Sequence, residues 1–567
     1  WVPHIYEANQ DPSNTSTGMN QYGRWDFGPW VQPNILAPVT PQPPALKAAI
    51  PLPDGGTPDN LTPWLYKTST VPEAFNDVMM VNGTVFPYMV VEPKAYRFRI
   101  LNAANDRFLN LQLYLDASGG GSGATATATI DTNPLSNTYQ QIISVTPGAA
   151  GSGFQRAPGV NITGGGGFGA VIEAIISGPG GSVTGYVIVN PGSGYTSDPT
   201  LTVGATTEVK MVDAMPNSRY PKTWPRDGRD GGVPDPATAG PKFIQIGNEG
   251  GFLPIISVRD NQPVNFDYDR GSATFGNVQN IEGLDPAIKG TTIFLGPAER
   301  ADVIVDFSSV APGTNVILYS DAPTPVPGFQ PRYDYYTGGP DLTETGGAPQ
   351  TLVGQGPNTR TIMQFRVQGT PAAPFDLAAL QAAWPGIYMA SQPPPIVPQT
   401  YYPGAYGAAT DTHASINATS LTYKPYGSAT TVTKTCGQKA IVEVFEKYGR
   451  LSANLGYEQF DPTAIPAISN GVGFKYIDPS FEVFRRPGET QIWKITHNGV
   501  DTHPIHIHLV NAQIINRVGW DGVIKPPEPN ERGWKETIRM NPLEVIYIAL
   551  RADMPQVPFR VGPSVRP

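Results

Sequence analysis

Histidine and cysteine are the scarce residues of this chain: six His and one Cys in 567 residues. A single cysteine, Cys436, excludes an intrachain disulfide and leaves the redox compartment open. No stretch reaches the roughly 18 consecutive apolar residues that a membrane-spanning helix needs. The start, WVPHIYEANQ, has no basic segment, no apolar signal core and no initiating Met, so a processed chain or a piece of a longer one is expected. Charge is sparse too, at 15% of residues, with 38 Lys+Arg against 47 Asp+Glu and a formal net charge of −9. That balance argues against a nucleic-acid partner held by phosphate neutralisation. The Gly-rich tracts lead into no helix start and no Lys-Ser/Thr, which excludes a phosphate-cradling P-loop. No local Ser-His-Asp or Cys-His arrangement suggests a nucleophilic hydrolase.

Glycine (62) and proline (61), by contrast, are abundant. Both damage helix interiors and favour turns, so short strands joined by turns are expected rather than helices. The length calls for two or three domains. Residues 1–70 are irregular and rich in Pro, Asn and Trp, and read as an extended segment wrapped over its neighbours and docked by Trp25, Trp30 and Trp64. DVMMVNGTVFPYMVVE reads as two strands around an Asn82-Gly83 turn, and AYRFRILNAA and RFLNLQLYLD as further alternating strands. These, over 71–116, are expected to form one domain with 209–345, a range that holds KFIQIGNEGGFLP, ERADVIVDFSSV and NVILYSDAP.

Between them, 117–208 is an island of Gly, Ser, Thr and Ala with an internal repeat. GSGFQRAPGVNI (151–162) aligns with GSGYTSDPTLTV (192–203) at an offset of 41. An inserted β-repeat module is expected, with adhesion or self-assembly a minor role for it. Residues 346–436 read as a connector in which TIMQFRV starts a β segment and DLAALQAAW (376–384) is a helical patch, and 437–567 as a last β domain of period-two strands. The fold class is all-β, built from Greek-key barrels or sandwiches.

Half of the histidines fall in one decapeptide, DTHPIHIHLV (501–510). On a strand, His506 and His508 share a face and His503 takes the other. His503 and His508 stand about 16 Å apart if the segment is extended, too far for one ion. The spacing suits two places, one holding His506 and His508 and one holding His503, and it excludes the helical His-x-x-x-His zinc pattern. Against this stands the plainer reading of strand histidines satisfied by backbone hydrogen bonds; the clustering in so histidine-poor a chain favours metal.

THPIHIHLV resembles the His-Pro-x-His-x-His signature of multicopper oxidases. VNGTVFPYMVVEPKAYRFRILNAANDRF, FIQIGNEGGFLP, ERADVIVDFS and GWKETIRMNPLEVIYIALRADMP resemble the second and third cupredoxin domains of the laccase-like branch, which includes bacterial spore-coat laccases, bilirubin oxidase and phenoxazinone synthase. The resemblance implies cupredoxin-like Greek-key barrels. It implies one-electron oxidation of a phenol, aromatic amine or metal ion, coupled to four-electron reduction of O2 to water. It makes His503 a type 1 copper ligand, His506 a type 2 ligand and His508 a type 3 ligand, with Asp501 orienting a ligand or bound water. It also implies export to the periplasm, cell surface or exterior.

The family's first-domain His-x-His pairs and its C-terminal His-Cys-His motif have no counterpart in these residues. Cys436, in VTKTCGQKA, precedes the histidine cluster and is read as an ordinary strand residue or free thiol. His4 and His413 stand alone, and His497 is assigned to a turn beside the cluster or to a role supporting its ligands, in preference to direct ligation. Two expectations follow: missing ligands on flanking segments or a companion chain, or a degenerate cupredoxin scaffold with a structural or surface-assembly role. Glu299, Arg300 and Asp302 read as ion pairs at a strand start. Glu536 and Arg539 read as a solvated strand face in preference to the wall of a substrate pocket.

Overall fold

The computed structural model describes two short paired strands in the first 74 residues (His4–Tyr6 and Arg24–Asp26) and most of 75–553; the longer stretches outside the description are 264–291, 327–333, 342–350, 352–357, 399–411, 446–450, 462–467, 474–483 and 554–567. The wrapping of 1–70 and the docking of the Trp25, Trp30 and Trp64 side chains lie outside the described residues. The described chain is mostly β, as its composition requires.

The first sheet-forming strands are β1 (Tyr88–Val91), β2 (Ala95–Leu101) and β3 (Leu109–Leu115). Ahead of them, Met80–Val81 and Thr84–Val85 pair around Asn82 and Gly83, both at positive φ (50° and 80°). Asn and Gly tolerate that conformation, which is why this dipeptide makes the turn.

Next comes the repeat module: β4 (Ser122–Ile130), β5 (Ile142–Ser152), β6 (Gly159–Thr163), β7 (Phe168–Ile176), β8 (Val183–Ser193) and β9 (Thr200–Gly204). One sheet runs β6-β9-β4-β5, and β7 pairs β8. The offset seen in sequence carries into space: β5 and β8 occupy equivalent positions, and β6 and β9 pair antiparallel about Asn161↔Thr202, themselves equivalent residues. The two copies thus meet along a local twofold axis. Phe154 and Tyr195, also equivalent, are buried in a core that the module keeps to itself. Each ring lies over a glycine: a Cβ on Gly121 would come within 2.5 Å of Phe154, and one on Gly167 within 2.4 Å of Tyr195.

After the module follow β10 (Phe243–Asn248), β11 (Gly251–Arg259), β12 (Ile293–Leu295), β13 (Arg300–Asp306), β14 (Asn315–Ser320) and β15 (Thr361–Val367). They join β1–β3 in two facing sheets, β11-β10-β13-β2 and β12-β3-β14-β15-β1. Alternation explains the packing. On β13, Ala301, Val303 and Val305 are buried while Arg300, Asp302, Ile304 and Asp306 are half-buried. On β2, Tyr96, Phe98 and Ile100 pack on the core and Arg97 and Arg99 alternate with them. Strand β15 is TIMQFRV, read from sequence as the start of a further β segment; it pairs with β14 and, in parallel, with β1. The sequence gives no cue to these partners, because they are chosen by packing and not by proximity in the chain.

Helix α1 (Leu377–Ser391) begins at Asp376, whose side chain accepts from the Ala379 N–H at 2.8 Å. It runs beyond the helical patch and through Pro385. It is fixed by Trp384, which is buried against Phe252 and donates its indole N–H to the Leu253 carbonyl at 2.8 Å. Among the described residues no helix is long and apolar enough to cross a membrane.

The last unit contains β16 (Ser420–Tyr423), β17 (Val432–Phe445), β18 (Leu451–Asp461), β19 (Ile468–Gly473), β20 (Thr490–His497), β21 (His503–His506), β22 (Asn511–Gly519), β23 (Ile524–Lys525), β24 (Thr537–Met540) and β25 (Glu544–Arg551). A large mixed sheet runs β19-β18-β17-β20-β25-β22-β23, with β16 added on β17. Strand β25, EVIYIALR, is buried over seven of its eight residues because both faces are covered, and so it reads as a continuous apolar run. One face holds Cys436, Ile492, Val545, Tyr547 and Ala549; the other holds Ile495, Ile514, Ile546, Ile548 and Leu550. The short ribbon β21-β24 packs on the second face through Ile505, Ile538 and Met540.

Candidate metal centre

The three histidines hang on that ribbon. In β21 the register is His503↔Met540, Pro504↔Arg539, Ile505↔Ile538 and His506↔Thr537. Ile505 turns to the core, so His503 shares the core-facing side and His506 takes the opposite one. His503 is half-buried, while His506 and His508 are exposed.

The rings form two separate pairs. His506 and His508 meet edge to face with centroids 4.9 Å apart. His503 meets His497 in the same manner at 5.3 Å. His497 ends β20, is fully buried, and its Nδ1 faces the Gly499 N–H at 3.4 Å. It stands at a strand end rather than in a turn, beside a residue of the cluster: the chain leaves β20 and returns in β21, setting the two imidazoles face to edge. Asp501 lies outside the described residues. Cys436 is distant in register, on β17 opposite Ile492, and burial pushes its thiol up to about 11 against the pull of Lys494.

His506 has a charged surround. Burial is the main cause that lowers its pKa below the usual imidazole value; His508 and Arg300 lower it further, and Glu536 and Glu249 oppose them. An imidazole held neutral keeps a lone pair for a metal. Arg300, Glu536 and Glu249 also line a cleft of about 480 Å³ between the first sandwich and the last unit, with Arg97, Asp302 and Gln392. Arg97 grips Asp302 through Nε at 2.8 Å, and Arg300 reaches Glu536 at 3.3 Å across the two units.

Behind the ribbon lies a buried ion network that sequence reasoning missed. Lys535 Nζ is 2.9 Å from Glu249 and 3.2 Å from Glu299. Arg539, 1% exposed, reaches Glu528 at 2.6 Å and faces Glu299 at 3.9 Å. Arg517 binds Glu531 at 2.5 Å and also Glu544. Arg539 is thus no solvated strand residue, and Glu299 pairs across units rather than at its own strand start. Desolvated ions require partners, and strand alternation alone does not reveal that a facing domain supplies them. Burial opposes ionisation of Glu531, yet Arg517 and Arg539 overcome it and hold the carboxyl down at about 2.

Residues 452–559 match the family model described as "Multicopper oxidase". A laccase of Haloferax volcanii is 41% identical over 76 residues, covering 13% of this chain and 13% of that protein. A laccase of Bacillus subtilis is 36% identical over 88 residues, covering 13% of this chain and 17% of that protein. Residues 452–559 are thus similar to multicopper oxidases. The matched stretches are thus under a fifth of either laccase's own length. Among solved structures, the McoA multicopper oxidase from Aquifex aeolicus is 14% identical, with a TM-score of 0.33, over 88% of this chain and 57% of that one. Members of the multicopper oxidase family use copper in type 1, type 2 and type 3 centres.

The described residues fit copper in kind, as imidazoles, with His506 and His508 on an accessible face. In number they fall short: among them no group of three His, Cys, Asp or Glu converges where one ion could sit.

Proposed function

We propose that this chain is part of a laccase-like multicopper oxidase, contributing its second and third cupredoxin domains. In this reading His503 belongs to the type 1 centre, His506 to the type 2 centre and His508 to the type 3 centre. The observation that carries it is the division of the cluster, His503 on the core side of β21 and His506 with His508 on the other. When bound, copper supplies one-electron chemistry that links oxidation of a phenol, aromatic amine or metal ion to reduction of O2. The ribbon presents the imidazoles and the ion network behind it keeps the ribbon rigid. The remaining ligands come from flanking segments or a companion chain, and the working location is outside the cytoplasm.

A second reading, a non-catalytic scaffold with a role in surface assembly, is favoured by one observation: no three donors converge among the described residues. Copper per polypeptide, measured by elemental analysis on the native preparation, separates the two. A full complement of type 1, type 2 and type 3 copper supports the oxidase, and His503→Ala then removes the blue colour. Copper-free protein after reconstitution leaves the scaffold.

A further inference from the structure

Thr537 stands opposite His506 in the ribbon, with its Oγ1 2.8 Å from His506 Nδ1. The same hydroxyl donates to the Ala298 carbonyl at 3.1 Å. A hydroxyl has one proton, and a carbonyl has none to give. The Thr537 proton is therefore committed to Ala298, and its oxygen meets His506 as an acceptor. That contact is a hydrogen bond only if His506 carries its proton on Nδ1.

The neighbouring sandwich fixes this arrangement from two sides. Ala298 sits in the turn between β12 and β13 at φ 66°, a left-handed conformation that alanine adopts only when its surroundings impose it. Its N–H donates to the Asn102 carbonyl at 2.9 Å, which holds the turn with the Ala298 carbonyl facing Thr537. On the other side the Thr537 N–H donates to Glu249 at 3.1 Å, and Glu249 is pinned by Lys535 at 2.9 Å. Turning the hydroxyl proton to His506 instead would strip the part-buried Ala298 carbonyl of that donor, which a desolvated carbonyl resists.

We infer that Thr537 is a positioning residue that locks neutral His506 as the Nδ1–H tautomer, leaving Nε2 as its one ring nitrogen open to a metal ion. The assignment of that nitrogen to a metal rests on the oxidase reading above; the tautomer does not. A neutral imidazole left to water prefers its proton on Nε2, so the lock reverses the intrinsic preference.

The test is long-range nitrogen–proton NMR on the metal-free full chain, labelled with 15N-histidine, at a pH where His506 is neutral. Only six histidines contribute signals, and His506→Ala assigns the one of interest. The expected result is a protonated, pyrrole-type Nδ1 and a pyridine-type Nε2 at His506. Thr537→Val, which keeps the shape and loses the acceptor, moves the proton to Nε2, and Thr537→Ser restores Nδ1–H. Cu(II) affinity, by competition with a chelator, falls about 10–100-fold in Thr537→Val and recovers in Thr537→Ser. A pyridine-type Nδ1 in the unaltered protein overturns the inference, whether or not the valine variant folds. So does an unmoved tautomer in folded Thr537→Val. Should the tautomer be as stated while no copper is taken up, the lock stands and the oxidase reading fails.

Discussion

Lys535 and Glu249 meet at 2.9 Å across the boundary between two structural units, and both side chains are almost wholly withdrawn from solvent. Lys535 immediately precedes the segment that carries Glu536 and Thr537, and Glu249 sits in the turn between β10 and β11. The pair therefore ties the histidine ribbon to the neighbouring sandwich.

Removing one partner leaves an ion buried without compensation. Lys535→Met is expected to destabilise the protein by about 3–5 kcal/mol, with Glu249→Leu similar. The double variant should lie closer to the unaltered protein than either single one, because both charges of the pair are gone and Glu299, which also meets Lys535, still faces Arg539. Denaturant melts of the four proteins check this, and single variants as stable as the parent would show the network to be unimportant.

Acid should loosen the same region. Glu531 has its folded pKa at about 2 against an ordinary value of 4.5, so its ionised form is favoured by folding. The contribution is fully present above the ordinary value and is lost as pH falls from about 4.5 towards 2. Its full size is on the order of 3 kcal/mol. Glu531→Gln should flatten the stability–pH curve in that window and leave its shape above pH 5 unchanged, as thermal melts over the range would record.

Cys436 should be chemically silent in the folded protein. Its thiol is buried and pushed up to about 11, which leaves little thiolate at neutral pH. A disulfide reagent at pH 8 should label the native chain slowly and the urea-unfolded chain at once, with one equivalent. Rapid labelling of native protein would contradict the burial described for β17.

The repeat module should respond on its own. Phe154→Ala removes a fully buried ring from a core shared with no other unit, at an expected cost of about 3–5 kcal/mol. Hydrogen exchange should quicken over 122–204 and hold steady in the strands either side of it. Exchange that rises equally in β10–β15 would mean the module and the sandwich unfold together.

Much of this molecule is legible in its sequence. The turn at Asn82-Gly83, the alternation on β2 and β13 and the duplication of the module all depend on local chemistry, and each appears where the residues call for it. The helical patch is visible too, but not its length, since the packing of Trp384 on β11 carries the helix past Pro385. What was misread depends on contacts that the local pattern does not show. Arg539 looked like a solvated strand residue, yet it faces Glu299 of the neighbouring sandwich; nor does the pattern show that TIMQFRV pairs in parallel with β1 or that His497 packs against His503.

The sequence by itself determined that the chain is β-rich, that it carries a duplicated insert, and that three of its six histidines share one strand segment whose alternation divides them. Those outcomes follow from backbone preferences and side-chain periodicity, which act over a few residues. Only the tertiary structure decided that His497 joins His503, that a buried ion network backs the ribbon, and that a threonine held by another unit selects the free nitrogen of His506. Desolvation and hydrogen-bond geometry act between groups that touch in space, and folding brings Lys535 to Glu249 and Thr537 to Ala298 from different units of the chain.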